Sequence, residues 1–557
     1  VDQRVDRHGG PLTSRRDSGV LGGRTALLLA VPPLVFLVVF FVWPVVSILT
    51  LGLAPGGSVD VAAALQAIGQ RTVLEDIVFT VVLATSATAL TLVFGLPVAW
   101  VFARFSFPGR DVARALATVP FVLPTVVVAT AFLALLGPRN PIVGTIWAVL
   151  LASIFYNLAV ILRLVGGLWS HLDPRLEEAA RVLGASPFGA FREVTWPLLR
   201  PAMLSAVSIV FLFNVTSFGV VLLLGGPGPT TLEVEIYRQT AQLLDLRTAA
   251  ALAIVQLCGV VALLVAYARS QERLAVTQRL RPASETARPA RTGRERVAVT
   301  VILGALALYL GLPLAVLVVR SVTALGGPGL QAYADLWSAQ QSSALFVPPS
   351  QAIANSIVFA TATMLLATGL GLMASLVIGY RRGWLSSLFD TAVMLPLGTS
   401  AVVLGFGFII TLDAPPLDLR TSALLIPIAH TLIAMPFVLR ALVPVIRSID
   451  PRQREAAAIL GASGSRTWRE VDLPVIRRQM LVGSAFAFAV SLGEFGATIF
   501  IARPDTPTIP IAVARLLSVP GAVPFAMAMA MSTLLMLLTA AALLIVERFR
   551  MPGAQPF

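Results

Sequence analysis

Apolar residues along this chain come in long, nearly unbroken runs and lack the spacing of a half-buried soluble helix or strand. Windows of about 20 residues, enough to cross a bilayer's hydrocarbon core, fall at 25–51, 77–103, 113–136, 143–169, 201–224 and 248–268, then at 297–319, 353–380, 386–411, 421–446, 479–502 and 523–547. The pattern predicts an all-α polytopic membrane protein with twelve transmembrane helices. Several runs contain proline (Pro44, Pro97, Pro124, Pro396, Pro436), which membrane helices tolerate when neighbours satisfy the freed carbonyls. The first run follows an Arg-rich leader, residues 1–24, carrying Arg4, Arg7, Arg15, Arg16 and Arg24. Its apolar stretch exceeds the roughly 7–15 residues of a signal core and no small-residue cleavage site follows, so a retained helix is expected. Residues 269–296 break the pattern with eight Arg, three Glu and two Pro, and read as a polar, flexible tether between two six-helix halves at 25–268 and 297–547. Residues 548–557 form a short polar tail.

The halves repeat one another. Residues 173–200 read DPRLEEAARVLGASPFGAFREVTWPLLR, and residues 450–477 read DPRQREAAAILGASGSRTWREVDLPVIR, a constant shift of 277 positions. The same shift relates Arg163 to Arg440, Phe218-Gly219 to Phe495-Gly496 and Thr231 to Thr508, without insertion. Each copy lies between the fourth and fifth runs of its half. Six spans per half give both copies one orientation, hence two parallel pseudo-symmetric halves. Asp173-Pro174 and Asp450-Pro451 supply an N-cap acceptor with proline at the first helical position. Gln453 stands where a capping box would place it, whereas Leu176 cannot act so. Gly184 and Gly461 are expected to end the first short helix, and Ser186-Pro187 or Ser463 to start a second. Trp196-Pro197 and Leu473-Pro474 are expected to break the chain before the membrane. The result is a rigid helix–turn–helix.

Composition narrows the chemistry. Of 557 residues 57% are hydrophobic and 12% charged, and the mean hydropathy is +0.87, which excludes a conventional soluble enzyme. All 41 basic residues are arginine, so the chain has no P-loop or Schiff-base lysine. One cysteine, Cys258, and three scattered histidines (His8, His171, His430) give no thiolate cage and no zinc-site spacing. No catalytic or metal site is expected. The net charge of +13 does not signal nucleic acid, because the arginines flank apolar runs instead of forming one basic face. With the N-terminus cytoplasmic, only Arg71, Arg139, Arg238, Arg247, Arg320, Arg420, Arg503 and Arg515 face outward and all the other arginines lie inside. The positive-inside rule then puts both termini in the cytoplasm. Residues 53–76, 225–246 and 321–352 are the longest expected outer loops.

Polar groups inside spans need a reason. Glu494, whose first-half counterpart is Ser217, reads as a cavity carboxylate that attracts a cationic substrate or pairs with a gate residue, or else as an acid hydrogen-bonded between packed helices. Asn214 and Asn157 read as interhelical hydrogen-bonding groups, with Asn214 and Ser217 also candidates for the substrate pathway. His430 reads as a packed, satisfied side chain. Arg163 and Arg440 read as snorkelling, or as contacts of the loops.

The spacing Glu-Ala-Ala-x3-Gly-x9-hydrophobic-x-hydrophobic-Pro, met by Glu178-Ala179-Ala180, Gly184 and Trp196-Pro197, and by Glu455-Ala456-Ala457, Gly461 and Leu473-Pro474, resembles the EAA loop of inner-membrane permeases of binding-protein-dependent ABC importers. Trp196 departs from the usual Leu or Ile without losing apolar bulk. The resemblance implies the type I importer permease fold, in a bacterial cytoplasmic (inner) membrane. It implies that Glu178 and Glu455 lie near an ATPase interface, with two copies of an ABC ATPase as partners and ATP and Mg used there, no cofactor being held by this chain. It also implies an extracytoplasmic substrate-binding protein, with membrane lipid around the spans. A fused twelve-helix permease is similar to the thiamine and ferric-iron branches, and residues 229–237 (PTTLEVEIY) are closest to the thiamine pattern. Ferric iron is the alternative substrate. An ion-coupled secondary transporter using Glu494 is the alternative class, and it leaves the two loops unexplained.

Overall fold

The computed structural model describes residues 23–549 except 55–59, 61, 63–65, 67, 275–285, 339–344 and 382. Most of the leader, the centre of the tether and the last residues of the tail lie outside the described residues. Among the described residues two matching sets of ten helices follow one another, with one further short helix, Gln331–Asp335, inserted in the second. The first comprises α1 (Arg24–Leu53), α2 (Arg71–Arg104), α3 (Arg110–Phe121), α4 (Thr125–Leu136), α5 (Ile146–Trp169), α6 (Pro174–Val182), α7 (Pro187–Val215), α8 (Gly219–Leu224), α9 (Leu232–Ala241) and α10 (Leu246–Ser270). The second repeats the order as α11 (Gly293–Thr323), α12 (Pro349–Tyr380), α13 (Trp384–Gly398), α14 (Ala401–Thr411), α15 (Leu425–Ser448), α16 (Pro451–Ile459), α17 (Gly464–Gly493), α18 (Thr498–Ile501), α19 (Ile509–Ser518) and α20 (Ala522–Val546).

Ten described helices are long and apolar enough to cross a membrane, and there are twelve crossings if α3–α4 and α13–α14 each make one. Those pairs are not straight: they bend by 100° and 95°. The span expected at 113–136 therefore resolves into two parts. The polar α3 is pinned to the end of α2 by Arg110 and Arg114, which donate to the Phe102 carbonyl, and only α4 is apolar and buried along its length. Pro124, whose ring removes one amide donor and restricts the residue before it, stands at the corner.

Two further expectations are corrected at α7 and α17. Trp196-Pro197 and Leu473-Pro474 do not break the chain, since both helices run through them after one wide turn at Phe191–Thr195 and Trp468–Asp472. A π turn relaxes the clash between a proline ring and the carbonyl one turn earlier, and costs little because proline has no amide to bond. At the other end the helices stop earlier than expected. α7 ends at Val215 and α17 at Gly493, with α8 and α18 as separate short pieces.

The halves exchange their first helices. Leu37 and Phe41 of α1 join the apolar cluster of α12, α14 and α15, while Leu306 and Leu310 of α11 join that of α2, α4 and α5. Tyr309 of α11 donates to the Leu151 carbonyl at 2.6 Å. Gly407 allows the reciprocal contact, because a Cβ there would stand 2.9 Å from Pro44. In lipid, where no hydrophobic effect drives helices together, such close approach of backbones holds the bundle.

Candidate coupling loops and the junction between the halves

Both repeated loops fold as the local chemistry dictates. Asp173 accepts from the Arg175 amide at 3.0 Å and Asp450 from the Arg452 amide at 2.9 Å, capping α6 and α16. The capping box expected at Gln453 does not form: Asp450 engages the Arg452 amide and Gln453 is exposed. A complete box instead starts α11, between Thr292 and Glu295. Gly184 and Gly461 take φ of +97° and +79°, so the Ala185 and Ala462 amides turn back onto the Ala180 and Ala457 carbonyls at 3.0 Å. Ser186 and Ser463 then cap the second helices. Glu178, Ala179 and Gly184 are exposed, as are Glu455, Ala456 and Gly461, while Ala180 and Ala457 are half-buried. At each apex an apolar pair stands in the open: Val182 and Leu183 are 86% and 88% exposed, Ile459 and Leu460 84% and 86%. Large aliphatic side chains this bare, paired on short capped helices, are the kind of exposed apolar surface that marks an interaction site.

The roots of the loops are fastened differently. In the first, Arg104 at the end of α2 reaches Glu177 of α6 at 2.9 Å and the Leu172 carbonyl at 3.4 Å. In the second, position 454 (the counterpart of Glu177) is an arginine. Arg454 donates to Asp472 at 2.7 Å and its guanidinium lies 4.5 Å from the centre of the Tyr380 ring. The described end of the tether also docks on the first root. Arg288 pairs through its backbone with Arg104 and Ser106 at 3.1 and 2.9 Å, Thr286 donates to the Ser170 carbonyl, and Arg288 meets Glu295 at 2.6 Å. That ion pair raises the Arg288 guanidinium above its ordinary range. Residues 286–292 are thus held on the protein, where a free tether was expected. Arg163 lies 6.0 Å from the Phe121 ring centre and Arg440 is exposed.

The breaks after α7 and α17 meet at the centre of the molecule. Phe218 and Phe495, equivalent under the 277-residue shift, stack with ring centres 5.5 Å apart and planes at 30°. Tyr237 packs edge-on against Phe218 and against Phe500. Phe218 and Phe495 are 6% and 2% exposed, so the rings fill the junction where the pseudo-two-fold relation pairs the halves.

Glu494 is buried beside this junction. Its carboxylate accepts the Ala497 and Thr498 amides at 2.8 and 3.0 Å and the Thr498 hydroxyl, and stands 3.2 Å from His430. His430 also contacts Ser491 and Thr498 at 2.7 and 2.8 Å. Asn157 and Asn214 donate to Ser153 and Val210 of their own helices, at 2.9 and 2.7 Å, and these bonds do not bridge helices as expected. An amide that returns to the carbonyl one turn earlier satisfies itself without a partner helix. Ser217 is half-buried in the break, and its carbonyl accepts the Thr231 hydroxyl at 3.2 Å.

Residues 225–246, expected as an outer loop, fold back into the protein. Leu232, Glu233, Glu235 and Ile236 of α9 are buried. Glu233 is 0% exposed and accepts from Ser400 at 2.5 Å and Gln256 at 3.0 Å, so it joins α9 and α10 to the corner between α13 and α14 of the other half. Sequence reading passed over this carboxyl because it stands in a polar stretch. The available signal was the repeat itself, since its counterpart is Pro510.

A duplicated helical bundle with a matching pair of capped, apolar-tipped loops and interrupted helices meeting between its halves defines a membrane transport protein of two like domains. The chain belongs to the family of binding-protein-dependent transport system inner membrane components, whose profile matches residues 91–275 and again 367–551. It is therefore a multi-pass permease component of such a system, with both family domains on one polypeptide. The thiamine transport system permease protein of Brucella abortus (strain 2308) is 29% identical over 453 residues, covering 78% of this chain and 80% of that protein. The thiamine transport system permease protein of Escherichia coli (strain K12) is 27% identical over 423 residues, covering 73% and 76%. A probable ABC transporter permease protein of Sinorhizobium fredii is 25% identical over 548 residues, covering 91% and 94%. Among solved structures, a chain of a bacterial alginate ABC transporter aligns over 46% of this chain and 97% of its own length, at 17% identity and a TM-score of 0.39.

Proposed function

We propose that this chain is the thiamine-conducting permease of an ATP-driven importer, with both termini cytoplasmic and the two loops facing the cytoplasm. The observation that supports thiamine is that thiamine permeases of two genera align with about three-quarters of the chain, across both repeated domains. The relatives named above give no comparable support for ferric iron. Two copies of a separate ATPase subunit would receive α6 and α16, with Val182-Leu183 and Ile459-Leu460 seated in apolar sockets and Glu178 and Glu455 at the rim. ATP and Mg belong to those subunits. Closure of the ATPase pair would draw the loops together. Because each loop is capped at both helices and fastened at its root, the displacement would pass into α7 and α17 without being absorbed by bending. The halves would rock and part the Phe218–Phe495 stack, opening the junction alternately to either side. A binding protein would deliver ligand on the outer face.

The test is uptake of labelled thiamine into proteoliposomes holding the permease, its ATPase and its binding protein. Uptake that requires ATP and all three components is expected. Uptake by the permease alone under a pH gradient would overturn the importer reading in favour of a carrier, and ATP-driven uptake of ferric iron without thiamine would overturn the substrate.

A further inference from the structure

The buried acids of this protein differ in what answers their charge. Glu494 has two backbone amides and His430, and Asp472 has Arg454. Glu235 has Arg238 at 3.5 Å, and Asp76 takes the Thr230 amide at 2.7 Å. Glu233 alone, among these described residues, is fully buried with only neutral side-chain donors, Ser400 and Gln256. Its position is also particular. Gln256 is the eleventh residue of α10, so at about 1.5 Å per residue it lies about 15 Å below the helix's outer end, close to mid-depth of a ~30 Å core. Gln256 donates as well to the carbonyl of Val215, the last residue of α7 before the break. Ser400 is the N-cap of α14, accepting the Val402 and Val403 amides at 3.1 and 3.4 Å while donating to Glu233. Thus the carboxyl sits at about the middle of the span, where the break of one half meets the corner of the other, held across the junction by the hydroxyl that caps α14 of the opposite half.

Rocking the halves apart withdraws Ser400 and that helix end. The carboxyl would be left in a poorly solvated place with one neutral amide, where it either holds a proton or gives it up to pair with an arriving positive charge. We propose that Glu233 is the residue of the transport path that receives the positive charge of a cationic ligand, exchanging Ser400 for the ligand as the junction opens. This deepens the thiamine reading and rests on it, since thiamine carries a permanent cation on its thiazolium ring. The aromatic rings at the junction, Phe218, Tyr237, Phe495 and Phe500, supply faces suited to the same ring. The asymmetry fits a single ligand: the pseudo-symmetric position is Pro510, so the path has one such carboxyl and not two.

The test uses the assembled importer in proteoliposomes, comparing Glu233→Gln, Glu233→Asp and Ser400→Gly. Glu233→Gln keeps the shape and the bond from Ser400, and the unbonded Gln256 Oε1 can turn to meet the new amide. It should retain binding-protein-stimulated ATP hydrolysis within about twofold while thiamine uptake falls at least tenfold. Glu233→Asp, which keeps the charge, should restore most uptake. Ser400→Gly, which removes the hydroxyl but leaves a tolerated helix cap and the Glu233 carboxyl, should lower uptake less than Glu233→Gln does. Undiminished uptake in Glu233→Gln would overturn the inference. So would parallel loss of hydrolysis and uptake in both Glu233→Gln and Ser400→Gly, which would mark the contact as a clasp between the halves. A wild-type assembly that takes up no thiamine would retire the functional reading itself, a result distinct from either.

Discussion

The two repeated loops share a backbone and differ in their fastening. Both have an Asp-Pro start, a left-handed glycine, a second cap and a wide turn before the long helix. At the root, the first clamps Glu177 with Arg104 from α2, and the Glu177 side chain is 25% exposed. The second buries Arg454 against Asp472 and the Tyr380 ring, with side chains 9% and 1% exposed. Position 177/454 has thus changed sign, and position 195/472 has changed from Thr to Asp in compensation. The lesson is that caps and a glycine corner fix the backbone of such a loop, while the ion pair at its root is free to be rebuilt. The same geometry survives two electrostatic solutions because the helices and caps set it. The solutions should nevertheless fail unequally. A partly exposed pair is backed by solvent, whereas a buried pair left with one member is an uncompensated charge.

The largest effect tests what the loops have in common. Reversing charge at both tips, Glu178→Arg with Glu455→Arg, should weaken ATPase association at least ~30-fold per loop, since misplaced charge at such contacts costs about 2–5 kcal/mol. Co-purification and uptake measure it, and normal association would dissociate these loops from ATPase binding. The next effect tests the difference. Arg454→Ala strands buried Asp472 and should destabilise the second loop by about 3–5 kcal/mol, against about 1–2 kcal/mol for Glu177→Ala in the first. Amide exchange over 450–477 and 173–200 reads both, and equal acceleration would refute the distinction. Sharper still is a conversion. Glu177→Arg alone sets two arginines together and should loosen the first loop, while adding Thr195→Asp should recover about half of the loss by recreating the second loop's pair. Failure of the double variant to recover anything would mean that the Tyr380 ring packed on Arg454 is indispensable. The smallest effect returns to the shared backbone. Gly184→Ala and Gly461→Ala meet no atoms within 4 Å, so each should cost only the left-handed strain of about 1–2 kcal/mol, equally in both loops.

Legibility followed the range of the interaction. The caps and glycine corners were readable because a serine, aspartate or glycine acts within a few residues of itself, although the box expected at Gln453 formed instead at Thr292 and Glu295. His430 and Glu494 were each visible as ionisable residues in apolar runs. Their contact spans 64 positions, and no local rule joins them. The break after Val215 was invisible because Thr216, Ser217 and Phe218 look no less helical than their neighbours. It is stabilised from outside, by Thr231 on the Ser217 carbonyl and Gln256 on the Val215 carbonyl. α9 was misplaced because its polar residues suggested solvent. Glu233 is in fact buried by α10 and by Ser400 of the other half.

By itself the sequence determined that this is a duplicated, lysine-free, polytopic helical protein with two capped loops in equivalent places. Hydrophobic length, repeat spacing and capping are all properties of short segments, so they can be read in order along the chain. Tertiary structure alone decided the exchange of α1 and α11, the Phe218–Phe495 stack and the burial of Glu233. Those depend on which distant surfaces fit closely enough to exclude lipid and satisfy one another's polar atoms, and that fit exists only once both halves are packed together.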